Sequence, residues 1–387
     1  MHLRKIIEIK NLKGKRILVR VDFNVPVEKG KIKNDFKIIK SLPTINYLLD
    51  KGASVILVSH LGRPNGVVDQ SLSLRPIAKV LSSFLNKEVK LKSLKELQQK
   101  PSNEKIVLLE NIRFFPGEEK NDIAFTKELS KLAEIFVSEC FAVAHRSSAS
   151  VTGLAKYLPT YAGLLMAEEV EGIERAVSKP KKPLVVILGG IKTETKIPVL
   201  KNFLTKADYI LVGGGIASTY FAGKGYGLGV SLLDKDYVGL MKRLGVNKKV
   251  IMPVDAVVGQ INGAGARLVS LAKPLKLAKN EGIFDVGPAT VRLFASYIKK
   301  ARTLVWNGAM GKFEQHPYEY GTYSLARLFA ARSKGKSFGV AGGGETVEIL
   351  EKLKVAGDVD LVSTGGGAML EYLSGKILPG VKILKKN

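Results

Sequence analysis

Two sets of residues in this sequence have the types and spacing to handle anionic groups. The first is glycine. The run Phe338-Gly339-Val340-Ala341 breaks into Gly342-Gly343-Gly344 and restarts at Glu345-Thr346-Val347-Glu348 as a helix, with Ile349, Leu350 and Leu353 on one face. Glycine lets the backbone turn sharply and lets a ligand approach closely. A helix start offers unpaired N–H groups and roughly half a positive charge. Strand, glycine turn and helix N-terminus together make an anion site, most often for phosphate. One such triplet alone reads as a tight turn. The pattern returns, however, at Ile187-Leu188-Gly189-Gly190, at Leu211-Val212-Gly213-Gly214-Gly215 and at Val362-Ser363-Thr364-Gly365-Gly366-Gly367, and four such strand ends are hard to explain as turns. The second set lies in the first half of the chain, where Asp22, Asn24, His60, Arg63, Arg113, His145 and Arg146 each follow an apolar run. A single arginine after a strand is usually a surface charge. Arginines at equivalent ends of one sheet suggest a pocket for a small, multiply anionic molecule.

The elements that must position these residues alternate. Arg16–Asn24, Ala53–His60, Lys105–Asn111 and Ile135–Ala142 read as buried strands, with helical spacing over Phe36–Asp50, Leu74–Asn86 and Asp122–Glu134. In the second half, strands are expected at Leu184–Leu188, Tyr209–Val212, Val250–Val258, Thr303–Trp306, Phe338–Ala341 and Leu361–Thr364, with helices such as Ile197–Ala207, Pro288–Lys300 and Tyr323–Arg332. Alternating β and α predicts an α/β fold with doubly wound parallel sheets, which gather ligands at the carboxyl ends of their strands. A helix over Tyr161–Val177 is followed by the Pro-rich basic break Ser178–Pro183, which reads as a boundary. The expected architecture is two doubly wound lobes joined by a connecting helix. If their strand ends face each other, two anionic ligands are held across a cleft.

Size and composition agree. The 387 residues exceed the roughly 250–300 at which a single core stops growing, so two domains are expected. The one cysteine, Cys140, rules out an internal disulfide and fits a reducing cytosol. No signal peptide is legible, and the apolar stretch Tyr209–Gly223 is too short and too glycine-broken to span a bilayer, which takes about 20 residues. These features predict a soluble cytoplasmic protein without membrane contact. The net charge of +26 would suit nucleic acid or anionic substrates, but the lysines are dispersed, which favours a solvated surface that steers phosphate-bearing ligands.

Several familiar motifs fail. Gly335-Lys336-Ser337 lacks the glycine that a phosphate-binding loop needs at 330, where Ala stands, and it precedes a strand. Gly223–Gly229 misses the spacing of a dinucleotide fingerprint, which disfavours a nicotinamide-dependent dehydrogenase. The histidines and the cysteine have no zinc-site spacing.

Taken together, the motifs resemble the phosphoglycerate kinase family from Val19 to Val381. The matching segments are Arg20–Pro26, Ser59–Pro64, Leu108–Glu119, Ala144–Arg146, Leu188–Lys196, Gly213–Ala217, Asp285–Pro288, Val305–Gly311, Gly342–Thr346 and Ser363–Ala368. The resemblance implies reversible phosphoryl transfer between 1,3-bisphosphoglycerate and ADP, giving 3-phosphoglycerate and ATP, with Mg²⁺ carried on the nucleotide. It implies an N-terminal lobe (1–160 with 374–387) that binds the glycerate, a connector (161–182) that serves as hinge, and a nucleotide-binding lobe (183–373). Asp22, Phe23 and Asn24 would take the hydroxyl and carboxylate side of the glycerate, and His60, Leu61, Gly62, Arg63, Arg113 and Arg146 would surround its distal phosphate. Lys192, Lys196, Gly213, Gly214, Asn307, Glu314, Gly343, Gly344, Glu345 and Thr346 would hold the nucleotide, with Glu314 on the ribose and Asn307 on a phosphate. Lys37, Lys196, Gly344 and Gly367 would act on the transferring group. A monomer is expected.

The sequence departs from the family pattern in two places that matter. Lys37 stands where an arginine is usual, and lysine is a compact point charge without the planar fork. Either Lys37 still stabilises the transferring group, which we prefer, or it lies on the surface and a neighbour such as Lys40 reaches in. Glu345 stands where many relatives have aspartate. It would coordinate Mg²⁺ directly or through water, or serve only as an acid in a helix first turn. The alternative function of another class is a repurposed relative that binds RNA. It would show a basic stripe outside the ligand site and salt-steep affinity.

Overall fold

The computed structural model describes residues 2–99 and 104–386. Met1 and Asn387, the outer ends of the expected N-terminal lobe, lie outside the described residues. The chain forms two compact units, Met1–Glu171 with Ile377–Asn387, and Gly172–Lys376.

The first unit runs β1 (Arg16–Arg20), a short hairpin of β2 (Val27–Glu28) and β3 (Lys31–Ile32), α1 (Phe36–Asp50), β4 (Ser54–Val58), α2 (Arg75–Leu85), β5 (Lys90–Lys92), α3 (Leu94–Gln99), β6 (Ile106–Leu109), α4 (Pro116–Glu119), α5 (Ile123–Ser130), β7 (Ile135–Ser138), β8 (Thr160–Ala162) and the start of α6 (Leu164–Ser178). Its sheet has the order β5-β6-β4-β1-β7-β8 with every neighbouring pair parallel. Side chains alternate across a strand, and here both faces are apolar. Ile17, Val19, Val55, Leu57, Leu108 and Val137 join the core that holds Ile38 and Ile45 of α1 with Ile77 and Leu81 of α2. Leu18, Ile56, Val107 and Phe136 join the opposite core with Leu97 and Leu129. Helices cover both faces, as a buried parallel sheet requires.

The second unit continues with β9 (Leu184–Leu188), α7 (Thr193–Lys206), β10 (Tyr209–Val212), α8 (Gly214–Gly223), α9 (Val238–Leu244), β11 (Val250–Ile251), β12 (Asp255–Gln260), β13 (Arg267–Ser270), β14 (Glu281–Val286), α10 (Pro288–Lys300), β15 (Thr303–Asn307), α11 (Tyr320–Ser333), β16 (Phe338–Gly342), α12 (Gly344–Lys352), β17 (Leu361–Ser363) and α13 (Gly367–Leu373). Its parallel sheet has the order β11-β10-β9-β15-β16-β17, and β13-β12-β14 form a separate antiparallel sheet. The last helix, α14 (Pro379–Lys382), belongs to the first unit, where Gly380 N–H bonds Ala144 O and Leu3 bridges Lys385.

Apart from helix ends that move by up to about a turn, as in α5, α7 and α11, the sequence reading differs from this fold as follows. The expected helix over Tyr161–Val177 begins only at Leu164, because Thr160–Ala162 pairs in parallel with β7 and Gly163 separates the two elements. The expected strand Val250–Val258 is two strands in two sheets, parted by Met252-Pro253-Val254, where Pro253 has no N–H to give a ladder. The first-half strands stop earlier than expected. Asp22, Asn24, His60 and Asn111 therefore sit in the loops beyond the strand ends, with Phe23 N–H held by Ser59 Oγ at 2.9 Å instead of by a ladder partner.

Candidate active site

In the first unit, the carboxyl ends of β1, β4 and β6 carry a connected polar cluster. Asp22, which is buried, accepts from Lys37 Nζ at 2.7 Å and from Asn24 N–H at 3.1 Å. Lys37 projects from the first turn of α1, and the Asp22 carboxylate holds its ammonium above the usual lysine value despite burial. Asn24 Oδ1 accepts from Gly62 N–H at 3.0 Å, and Gly62 O accepts from Arg113 Nη1 at 2.8 Å. Gly62 has φ +62°, a conformation that glycine adopts without cost. Arg63 and Arg146 are exposed, and Arg146 lies close enough to Arg113 for their charges to repel. His60 is buried, and burial together with the charges of Arg20, Arg113 and Lys37 drives its pKa well below the ordinary range. Its imidazole is therefore neutral and adds no positive charge to the cluster.

Arg20 and Asn111 were not among the expected site residues. Arg20 is the last residue of β1 and 2% exposed, with Nη2 on His60 Nδ1 at 3.1 Å and Nε on Ser150 Oγ at 2.8 Å. Ser150 passes the network to Glu118, which also takes the Ser148 hydroxyl at 2.7 Å. Asn111 ties the His60–Arg63 loop by donating to Leu61 O at 2.8 Å and Leu72 O at 2.9 Å. A signal for Arg20 existed in an arginine set between apolar Ile17–Val19 and Val21, since such a charge is buried only when it is paired.

In the second unit, the four glycine clusters prove to be of two kinds. At the ends of β9 and β10 the N–H groups are already used. Gly189 bonds Asn307 O, Gly190 bonds Ala309 O, Gly213 bonds Leu188 O and Gly214 bonds Met310 O. A Cβ at Gly189 would overlap Ala309 O, so these glycines serve close packing of the loops. Beyond β16 and β17 the turns are open. Gly343 (φ +97°) and Gly366 (φ +48°) precede helices that begin at Gly344 and Gly367, and a Cβ at either helix start would meet nothing within 4 Å. Of the four strand ends, these two leave open space beside the first residue of the helix.

Between the open and packed turns lies a buried polar group. Lys196 Nζ donates to Asn307 Oδ1, and Asn307 Nδ2 donates to Gly342 O at 2.7 Å. Burial lowers the Lys196 pKa to about 8, against the pull of the Glu345 carboxylate. Thr346 Oγ1 accepts from Gly308 N–H at 2.8 Å, and Glu345 Oε2 accepts from Ala309 N–H at 3.1 Å. Beside this group a mostly apolar cavity of about 250 Å³ is lined by Phe221, Val230, Leu271, Phe284, Gly214, Glu314 and Glu345, among others. Gly214, Glu314 and Glu345 thus share one cavity. Lys196, Asn307 and Thr346 pack at the adjoining strand ends, and Lys192 stands exposed at the start of α7.

The comparisons with known proteins converge. The family model described as Phosphoglycerate kinase matches residues 6–376. The chain is 42% identical to the phosphoglycerate kinase of Pelotomaculum thermopropionicum over 395 aligned residues, covering 98% of this chain and 99% of that one. It is 40% identical to that of Borreliella afzelii, with full coverage of both. Among solved structures, phosphoglycerate kinase from Coxiella burnetii superposes with a TM-score of 0.88 at 39% identity, covering 99% of each chain. That from Pyrococcus horikoshii gives a TM-score of 0.85 at 31% identity, over 99% of this chain and 98% of the other. With a family match over nearly its whole length and relatives of this similarity, the chain belongs to the phosphoglycerate kinase family.

Proposed function

We propose that each unit supplies one substrate site for the family's reaction. That reaction is reversible phosphoryl transfer between 1,3-bisphosphoglycerate and ADP, giving 3-phosphoglycerate and ATP in glycolysis and, reversed, in gluconeogenesis. One observation carries the proposal. The residues that match the family's motifs collect, in each unit, at the carboxyl ends of that unit's own parallel sheet, except Asp285–Pro288 at the end of β14.

On this reading the first unit holds the glycerate. Asp22 and Asn24, with the backbone of Phe23, meet its hydroxyl and carboxylate side. Arg63, Arg113 and Arg146, beside Leu61 and Gly62, neutralise the distal phosphate, and His60 contributes a neutral ring that Arg20 orients. The second unit holds the nucleotide, with the base in the apolar cavity, the ribose at Glu314, and the phosphates near Lys192, Lys196, Gly213, Gly214, Asn307, Gly343 and Thr346. Phosphoryl transfer asks for in-line positioning and for neutralisation of the equatorial oxygens. Lys37, Lys196 and the open turns at Gly344 and Gly367 supply donors for that purpose. No general base is needed, because acyl-phosphate and ADP oxygens are the reacting groups. For those groups to meet, the lobes close about the α6 segment and exclude water.

Glu345 suits the nucleotide's Mg²⁺. Among the described residues no three metal-ligating side chains gather, and Mg²⁺ commonly takes one or two carboxylates plus substrate phosphates. Glu345 lines the cavity and is fixed by Ala309 N–H through one oxygen. The metal, arriving with the nucleotide, would neutralise phosphate charge. The enzyme works as a monomer in the cytoplasm on this reading, and no helix of the described residues is long and apolar enough to cross a membrane.

The test is coupled turnover of 3-phosphoglycerate with MgATP by the native protein, Lys37→Ala and Lys37→Arg. We expect Lys37→Ala to lose on the order of 10³-fold in kcat, as removal of a charge finger does, and Lys37→Arg to stay near the native rate. A silent Lys37→Ala would remove Lys37 from the reacting centre.

A further inference from the structure

Glu139 takes no part in the chemistry above, yet it is among the most completely enclosed charged side chains of the first unit, with 0% exposure. It follows β7, and its own N–H bonds Arg20 O at 2.9 Å. Its Oε1 accepts from the Thr44 hydroxyl and from Leu165 N–H at 3.1 Å, and its Oε2 accepts from Met166 N–H at 3.1 Å. Thr44 Oγ1 in turn accepts from Leu164 N–H at 2.8 Å. The first N–H groups of α6 are thus satisfied by Glu139 and Thr44, which come from a strand end and from α1. The residue before α6 is Gly163, where a Cβ would overlap the Glu139 carboxylate.

Glu139 touches three elements, α1 and α6 through its carboxylate and β1 through its backbone N–H. Thr44 lies on α1, where Ser41 Oγ bonds back to Lys37 O at 3.1 Å and Lys37 Nζ reaches Asp22. Through Arg20 O, Glu139 also fixes the end of β1, two residues before Asp22. Both partners of the Lys37–Asp22 pair are therefore anchored to Glu139, the Lys37 side by its carboxylate and the Asp22 side by its backbone N–H alone. The helix it caps is the one inside which the boundary between the two units falls, between Glu171 and Gly172.

We propose that Glu139 is a positioning residue for phosphoryl transfer, whose carboxylate holds Lys37 in place by tying α1 to the start of α6. The inference rests on the reading of Lys37 as a group that acts on the transferring phosphoryl. A displacement of about 1 Å in such a group can cost about 10²-fold in rate.

The experiment compares the full-length native protein with Glu139→Gln, Glu139→Asp, Thr44→Val, Lys37→Ala and the double variant Glu139→Gln/Lys37→Ala. It records kcat, KM for 3-phosphoglycerate, and the melting temperature. We expect Glu139→Gln to lose up to about 10²-fold in kcat, with KM changed less than about twofold, and Glu139→Asp to recover part of the loss. In the Lys37→Ala background, Glu139→Gln should cost less than about threefold, because residues that act as a unit are not additive. An equal loss in both backgrounds, or no loss of kcat in Glu139→Gln, overturns the proposal. If Glu139→Gln does not fold, Thr44→Val, alone and with Lys37→Ala, carries the same comparison from the other side of the tie. A silent Lys37→Ala would instead overturn the reading on which the proposal rests, so the two failures are distinguishable.

Discussion

A lysine that replaces an arginine keeps the charge and gives up the fork, and Lys37 spends that charge on Asp22. Lys196 is the opposite case, an ammonium whose nearest polar partner is the neutral amide of Asn307. With its pKa lowered to about 8 by burial, it is partly uncharged at that pH. Bound phosphate would restore the charge, so nucleotide binding at pH 8 should take up a proton, and at pH 6.5 it should not. Titration calorimetry in two buffers of different ionisation enthalpy measures this directly. Equal apparent enthalpies at pH 8 would place the phosphates away from Lys196. Lys196 could be singled out in the sequence because its motif is specific, whereas Lys37 could be singled out only by its position, as a departure from the family pattern. Arg20 was not, although it opens one of the matching segments, because ligand-binding side chains are expected beyond strand ends and Arg20 is the final residue of its strand. That His60 is neutral could not be read at all, since its burial, and the charges that add to the effect, come from distant parts of the chain, Arg113 among them.

Three helix starts in this fold, those of α6, α10 and α11, borrow their caps from elsewhere in the chain, whereas α5 is capped by its own Asp122. Asp255, at the start of β12, accepts from Ala289 and Thr290 N–H at the first turn of α10, at 2.9 and 2.7 Å. Asp285 accepts from Gly321 N–H at the start of α11, at 2.6 Å. Glu139 does the same for α6. Neither α10 nor α11 receives a side-chain cap from its own N-cap residue, so these partners stayed hidden from a reading that seeks caps locally. Asp255→Ala should destabilise the fold by about 1–2 kcal/mol in urea denaturation. The glycines separate by the same logic. Gly189→Ala should cost about 1–3 kcal/mol of stability through overlap with Ala309 O. Gly344→Ala, with open space around its Cβ, should leave the melting temperature unchanged and lower turnover roughly tenfold or more by crowding the transferring group. A matching drop in melting temperature for both would erase the distinction between packing and open turns. The sequence shows a glycine cluster but not which atoms lie above it, so all four clusters looked alike.

At the scale of the whole molecule, the alternation of β and α and the presence of two units were legible. The antiparallel sheet was not, because its strands interrupt the alternation and one was merged with β11. The folded chain also stores protons that the unfolded chain would release. Burial raises the carboxyls of Glu139 and Asp285 to about 7. Their contribution to stability is therefore greatest below the ordinary carboxylate range and is lost as pH rises to about 7. His60 has the opposite sign, since its lowered pKa costs stability as pH falls below the ordinary histidine value. Asp285→Asn should flatten the decline between about pH 5 and 7.5 relative to the native protein, as read from urea midpoints. An unchanged slope would show that Asp285 is ionised throughout. The return of residues 377–386 to the first unit, where Lys386 N–H bonds His2 O and Arg4 N–H bonds Leu384 O, has a consequence for synthesis. Those residues leave the ribosome after every residue of the second unit. The second unit can therefore finish folding while the first, though begun earlier, still waits for its closing segment, and Leu3 lacks its bridge to Lys385 until then.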